Sequence, residues 1–454
     1  MVNVPFFLTN QNFSSTFDSI QKFMTGLTIK DIIITPIAVT DPPLLNAAGL
    51  HAPYALRTIV EVITHDNIIG ISEIPGNSDI DAALEKSREI LIGKDPFQLN
   101  QIRDAIQDHF ETETTIQRGD TPWDQRKIVH VYSAIEVACM DIIGKILERP
   151  VVDLLGGSRR DKVPFAAYLF YKYEGAGGSL GFGTDPDATG WDSARQAEAT
   201  TPDQIVQQAI AMVKEFGFES LKLKGGVFEP HIEVETIKKL HDHFGPDVPL
   251  RYDPNAVWNV DTAIRFGKEM ERFLEYLEDP VRGQENMARV RSALHIPMAT
   301  NMCTTSFEDI PNSIVTGSED IILSDHHFWG GLRSSMELSR ICQTFGRELS
   351  MHSNSHLGIS LAAMVHLGAA LPAIPYALDT HYPWQPEEVI SGGKMLFENG
   401  NVQVPSGPGL GVEIDRQALR KLHQNYLDCG LLKRDDQVEM RKVIADWEFK
   451  SVRW

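Results

Sequence analysis

The chain has 454 residues, of which 42% are hydrophobic and 23% charged, and a formal net charge of −20. That length exceeds one small core and implies several domains, or one large barrel with a smaller partner, in an ordinary soluble composition. The excess of 62 acidic over 42 basic residues argues against a nucleic-acid binder and against docking on anionic membranes. It leaves acidic small molecules open, because the charge of a site can oppose the net charge.

The first residues, MVNVPFFLTNQNFSS, have no basic stretch and too short an apolar run for a signal peptide. No segment approaches the roughly 20 apolar residues of a membrane span. Residues 1–27 read as a loose polar leader. The four cysteines, Cys139, Cys303, Cys342 and Cys429, form no CxxC pair and suit a reducing compartment, so a cytoplasmic protein is expected.

Residues 28–70 alternate or run apolar and read as strands, with Asp66-Asn67 as a turn and a loop that carries Asn46 and His51. Segments 79–113 and 127–148 have helical periodicity. Strands followed by helices make an α+β unit. A different rhythm starts near residue 163. VPFAAYLFY reads as a strand, 174–192 as a Gly-rich rim loop, and TPDQIVQQAIAMVKEFGF as a helix with a Thr cap. Short apolar runs then recur, each ending in polar residues, at positions 222, 253, 278, 301, 325, 352 and 379. Helical segments separate them. Repeated βα units with polar strand ends are the pattern of a (β/α) barrel. LKGGV is not the GxGxxG of a dinucleotide site.

The strand ends carry chemistry. In LKLKGG, Lys222 and Lys224 lie two apart and share one face. Two close ammonium groups disfavour each other's charge, so one pKa is expected to fall, which makes a base usable near neutral pH. A lone KxK is more often a solvent-facing pair; the barrel pattern around it reverses those odds. Asp253, Glu278 and Asn301 end the next three strands and offer oxygen ligands that suit magnesium, with Asp279 and Glu285 as competing ligands. Asp325 can orient a histidine on the following strand, His352. Spacing alone does not choose among His326, His327, His352 and His356. A substrate carboxylate on the metal would let a base remove the adjacent α-proton, the enediolate being stabilised by the metal.

The motifs LKLKGGV, DPNAVW, EDP, ATNM, DHHFW, HSNSH, LDTHY and PGLGVEID together resemble the glucarate dehydratase family of the enolase superfamily, over residues 28–454. The resemblance implies a modified TIM-type (β/α)7β barrel over 156–390. An α+β cap over 28–155 would be joined by a C-terminal segment, 391–454. It implies Lys224 as base with Lys222 as its pKa-lowering neighbour, His352 with Asp325 as the opposite-face acid/base, and Asp253, Glu278 and Asn301 around Mg2+. It places Asn46, His51, Thr121, Tyr168, Lys222, Asn255, Asn354, His381 and Arg434 on the substrate. The implied reaction is dehydration of a hexarate diacid, D-glucarate and by extension L-idarate, to 5-keto-4-deoxyglucarate. Lys224 would take the C5 proton, and His352 would protonate the departing 4-hydroxyl. Another acid-sugar dehydratase or epimerase, or a related protein of low activity, is the nearest alternative, and a Schiff-base aldolase and a non-catalytic sugar-acid binder are the competing classes. A homo-oligomer such as a dimer is also implied. The sequence departs from the family in a short segment between EDP and ATNM, and in His326, where the family usually has proline.

Overall fold

The structure, a computed structural model, describes residues 26–111, 118–119 and 121–454. Most of the expected leader, 1–25, lies outside the described residues, as does Asp120 beside Thr121. Among the described residues no helix is long and apolar enough to cross a membrane.

The N-terminal unit is built on strands β1 (Ile29–Thr40), a small hairpin of β2 (Leu45–Asn46) and β3 (Gly49–Leu50), then β4 (Tyr54–Thr64) and β5 (Ile69–Pro75). β1, β4 and β5 form an antiparallel sheet in that order, so β1 is an edge. The expected turn lies between β4 and β5, where Asn67 takes the left-handed backbone (φ 61°) that asparagine tolerates. Helices Ser78–Leu91, Leu99–His109 and Lys127–Leu147 follow. Asn77 caps the first by accepting from the Asp79 amide. The third is apolar on nearly every face and becomes the buried core of the unit. Its Asp141 accepts the amides of Ile71 on β5 (2.9 Å) and Leu410 (2.7 Å), joining two distant parts of the chain.

Eight strands then form the second unit: β6 (Lys162–Phe170), β7 (Leu221–Lys224), β8 (Leu250–Asp253), β9 (Tyr276–Glu278), β10 (Met298–Thr300), β11 (Ile321–Ser324), β12 (Glu348–Met351) and β13 (Leu378–Thr380). Consecutive strands from β6 to β12 pair in parallel. β13 returns to pair with β6, Leu378 opposite Phe165. A helix follows each of β6 to β12, and a hairpin of β14 (Phe397–Glu398) and β15 (Asn401–Gln403) follows β13 and pairs with the start of β6. This is the (β/α)7β order. The helix Pro202–Phe216 starts with the capping box that Thr201 and Gln204 make. The segment 174–192 is less loop-like than its glycines imply. A tight turn at Gly178–Leu180 and a helix at Gly190–Gln196 fold it, and buried Trp191 donates to the Pro383 carbonyl (2.8 Å).

The chain finishes on the N-terminal unit. Helix Arg416–Cys429 lies along β1: His423 Nδ1 meets the Pro36 carbonyl at 2.7 Å, and Asn425 donates to Ala38 at 3.4 Å. Arg416 holds Glu61 with two bonds of 2.5 and 2.6 Å. The short helix Asp436–Arg441 packs beside β3. The cap is thus made from both ends of the described chain and sits over the C-terminal ends of the barrel strands.

Candidate active site

β7 carries two buried lysines into the barrel mouth. Lys222 is 0% exposed and Lys224 6%. Lys222 Nζ lies 2.5 Å from both Glu278 Oε2 and Asp379 Oδ2, and 4.8 Å from the centre of the Tyr168 ring. Lys224 Nζ donates to Asp253 Oδ2 at 2.6 Å. Each lysine therefore has its own carboxylates, and the mutual repulsion read from the sequence is not what governs the pair. Burial would lower the Lys222 pKa, but Asp379 and Glu278 outweigh it and hold the ammonium well above the ordinary value. Lys222 is a fixed cation beside Lys224. The two glycines of LKLKGG let the chain turn tightly behind the lysines. A Cβ at Gly225 would meet the Tyr252 ring at 2.4 Å, and one at Gly226 (φ 74°) the Pro254 carbonyl at 2.4 Å.

The oxygen set sits beside the lysines. Asp253, Glu278 and Asn301 end β8 and β9 and follow β10, all buried. Asn301 Nδ2 meets Glu278 Oε1 at 2.7 Å. Asp279, one of the competing ligands, is buried beside them. It accepts the Thr300 hydroxyl (2.5 Å) and the amides of Asn301 (2.8 Å) and Met302 (3.1 Å), holding the turn after β10. Glu285 is exposed. Asn255, Ala256 and Asp279 all have positive φ (54°, 58° and 36°), strain of about 1–3 kcal/mol each, gathered at the ends of β8 and β9.

The residues present fit a hard divalent cation. Asp253, Glu278 and Asp379 face Lys222 and Lys224, and the buried Arg251 guanidinium lies 3.7 Å from Asp379 Oδ1, so the charges of this buried site are closely matched. Burial pushes Glu278 well above the usual carboxylate range; Lys222 opposes this, while Asp253 and Asp379 add to it. A buried Asn255 Oδ1 and Asp379 Oδ1 have no hydrogen-bond partner. Carboxylate and amide oxygens gathered at neighbouring strand ends are the set that magnesium takes.

Across the mouth, the ends of β11 and β12 bring Asp325 to His352. Asp325 Oδ2 is 3.1 Å from His352 Nδ1. Burial lowers the His352 pKa and Asp325 partly restores it, leaving a net fall. Phe328 covers the imidazole, ring centres 5.2 Å apart. His327 binds the other carboxylate oxygen through Nδ1 (2.8 Å), while its Nε2 faces the Glu73 carbonyl (3.0 Å). Asp325, His326 and His327 lie close enough together to suggest a metal cluster, but both nitrogens of His327 are taken. His326 is buried with Nδ1 unpartnered, and His356 bonds Thr380 at 3.0 Å. Among these histidines, only His352 both touches Asp325 and lies against Phe328 at the mouth.

The cap residues converge as a charged cluster. His51 Nδ1 meets Asp41 Oδ2 at 2.8 Å, and its Nε2 meets Arg434 Nη2 at 2.8 Å. Arg434 grips Asp436 with bonds of 2.8 and 2.6 Å and lies over Trp123 (4.6 Å). Asn46 donates to the same Asp436 at 2.6 Å. A cavity of about 90 Å³ joins this cluster to the barrel, lined by His51, Arg57, Trp123, Phe328, Asn354 and Arg434 among others. Tyr168 has a buried hydroxyl with no partner, and its ring stands edge-on to His381, centres 4.6 Å apart. His381 is tied to Ser353 at 2.9 Å. The Thr121 hydroxyl donates to the Trp123 carbonyl (2.8 Å); of the nine expected substrate residues, His51, Asn354 and Arg434 line the cavity.

Several residues here were not singled out from the sequence. Asp379 marks a strand end but had no role assigned; it is the second anion on Lys222. Arg118 sits three residues before Thr121 and reaches Asn301 Oδ1 at 3.3 Å while its backbone loop holds it through Thr121 and Pro122. Asp41 and Asp436 anchor His51, Asn46 and Arg434. A buried charge needs a buried partner, and that need was the available signal.

Two family descriptions match the chain: "Mandelate racemase / muconate lactonizing enzyme, N-terminal domain" over 32–156 and "Enolase C-terminal domain-like" over 204–418. A protein of Streptomyces coelicolor named probable glucarate dehydratase is 42% identical over 442 residues, 94% of this chain and 99% of that one. An enolase from Gibberella zeae, solved with magnesium, formate and sulfate, is 45% identical with a TM-score of 0.88, covering 96% of this chain and 99% of that one. An enolase from Pseudomonas fluorescens with bound magnesium, potassium and tartrate is 43% identical, TM-score 0.87, over 94% and 99%. Matched on both its cap and its barrel, the chain belongs to the enolase superfamily.

Proposed function

We propose that the protein is a magnesium-dependent hydro-lyase of acid sugars, with D-glucarate and its epimer L-idarate as substrates and 5-keto-4-deoxyglucarate as product. The observation that carries this reading is the placement of Lys224 on β7 and the Asp325–His352 pair on β11 and β12. In the strand order the ends of β8, β9 and β10, with their oxygen donors, lie between them. The named relative from Streptomyces coelicolor supports the substrate class. A more distant relative, 25% identical, is named L-talarate/galactarate dehydratase, a second acid-sugar dehydratase.

Asp253, Glu278 and Asn301 would hold the metal, which when bound supplies positive charge to a substrate carboxylate and so acidifies the neighbouring C–H. Lys224 and His352 approach the α-carbon from opposite faces, so each serves one configuration. His352, kept short of its usual basicity by burial, is a neutral imidazole able to accept a proton, and Asp325 steadies the imidazolium that results. On the His352 face, the proton taken from the α-carbon is the one given to the departing 4-hydroxyl; on the Lys224 face, His352 enters as the imidazolium that Asp325 steadies and gives its proton to that hydroxyl. Arg434, whose guanidinium is already forked on Asp436, faces the far carboxylate with His51 and Asn46. Lys222 stays charged and stabilises negative charge nearby. A Schiff-base role for Lys224 is disfavoured by the oxygen donors Asp253, Glu278 and Asn301 at the next three strand ends, which suit metal stabilisation of an enediolate. The four cysteines are unpaired, in keeping with a cytoplasmic enzyme.

The test is incubation with magnesium and a panel of hexarates in deuterated water, following keto-acid formation and exchange at the α-carbon. Conversion of D-glucarate that a chelator abolishes supports the proposal. Exchange without dehydration moves the function to an epimerase. No exchange with any diacid overturns it.

A further inference from the structure

We infer that Arg57, on strand β4 of the cap, is a positioning residue for the Asp325–His352 pair, acting through Asn354 and His327. The histidine side of the mouth is then competent only when the cap is docked. The inference rests on the two-base reading above.

Arg57 is 1% exposed and comes from a different unit than the residues it serves. Its Nε donates to Glu73 Oε1 on β5 at 2.8 Å. That one ion pair would suffice to neutralise a buried guanidinium. The remaining nitrogens instead cross into the barrel. Nη1 donates to Asn354 Oδ1 at 2.7 Å, and Nη2 lies 3.4 Å from His327 Nε2. Both of those residues touch Asp325. Asn354 Nδ2 is 3.4 Å from Oδ2, and the His327 ring and amide meet Oδ1 at 2.8 and 2.9 Å. Fixing the Asn354 oxygen on Arg57 fixes which end of its amide faces Asp325, so Asn354 presents a donor to the carboxylate.

Glu73 strengthens the same junction. Its carboxylate accepts the amides of Leu357 (2.7 Å) and Ser360 (3.0 Å), at the start of helix Gly358–Ala370, and its carbonyl faces His327. The Ser360 hydroxyl also meets His327 Nε2, at 3.2 Å. Asp325 is therefore held on both oxygens by groups that the cap orients, and its Oδ2 also meets His352. A carboxylate held in this way fixes the proton of His352 on Nδ1 and turns Nε2 toward the mouth. Desolvation lowers the Arg57 pKa and Glu73 only partly offsets it, as is fitting for a cation kept buried for its contacts.

The test uses Arg57→Lys, which keeps a cation for Glu73 but cannot also hold Asn354 from a second nitrogen, with Arg57→Met/Glu73→Gln as a second variant that leaves no unpaired charge. Circular dichroism and a melting curve first establish the fold. Two readouts follow. In deuterated water with magnesium, exchange from the epimer served by His352 is expected to fall at least tenfold, and exchange from the epimer served by Lys224 to stay within twofold. By NMR, the protected Nδ1–H signal of His352 is expected to broaden or vanish. An equal fall for both epimers with the Nδ1–H signal unchanged overturns the inference and leaves Arg57 a fold residue. If the wild-type protein exchanges neither epimer, the dehydratase reading fails, and the NMR signal alone still decides whether Arg57 holds the pair.

Discussion

Lys222→Met is the most informative perturbation of the barrel. The side chain is 0% exposed, and Met fills nearly the same volume, so the change is in charge and not in packing. It removes an ammonium that lies 2.5 Å from each of two carboxylates, Glu278 and Asp379, that water does not reach. Removing one partner of a buried ion pair costs about 3–5 kcal/mol. One of the two carboxylates can relieve the strain by taking a proton, so the lower end, about 3 kcal/mol at pH 8, is expected. The sign of the pH effect follows. Arg251 still faces Asp379, but Glu278 loses its cation, and its pKa, already raised by burial, rises further above that of the unfolded chain, so stability is lost as pH rises through the folded value and recovered below the unfolded one. The loss is therefore smaller at pH 5. Urea unfolding at both pH values measures it, with the slope unchanged and the midpoint lowered. Lys222→Met/Asp379→Asn is expected to recover part of the loss. A deficit under about 1 kcal/mol at pH 8, or one that does not shrink at pH 5, refutes the assignment of Lys222 as a fixed cation.

Magnesium is expected to raise the melting temperature in a concentration-dependent way, by the linkage of binding to folding, and Asp253→Asn to remove that dependence; a rise that survives the substitution places the metal elsewhere. His352→Asn is expected to cost about 10²–10⁴-fold in turnover, the usual worth of a positioned acid/base group, while proton exchange from the Lys224 face persists in deuterated water. Asp81 has its pKa pushed up to about 6, mainly by burial, despite the Thr58 hydroxyl at 2.6 Å. A raised carboxylate favours the fold below its unfolded pKa and weakens it as pH rises through about 6. Asp81→Asn is therefore expected to stabilise the protein by about 1–2 kcal/mol at pH 8, allowing for partial exposure, and by nothing at pH 4. Thermal unfolding across that range checks it.

The barrel and its strand ends were legible because their physics is local. Period two points Lys222 and Lys224 the same way, and a βα repeat of 23–31 residues places Asp253, Glu278, Asn301, Asp325 and His352 around one mouth. The charge state of Lys222 was not legible, because Asp379 lies 157 residues away and becomes a neighbour only when β13 closes onto β6. The cap residues were read through motif resemblance alone. Nothing local in a loop with Asn46 and His51 announces Asp436, and nothing in a strand such as YALRTIVEVIT announces that its arginine reaches Asn354. The Gly-rich segment 174–192 misled for the opposite reason. Glycines mark permissive backbone, and buried Trp191 and the Arg195 bond to Ala176 (3.1 Å) can still order it.

The helix along β1 has a consequence for how the protein is made. β1 is twelve residues long, largely apolar, and an edge of its sheet. The groups that cover its open side, His423 on the Pro36 carbonyl and Asn425 on that of Ala38, are each 387 residues away along the chain. A chain emerging from synthesis can fold its first three strands and helices long before these arrive. During that interval β1 offers unpaired carbonyls and a flat apolar face, a template for another copy's edge. The completed fold covers part of this edge with the helix Arg416–Cys429, which the growing chain does not yet have.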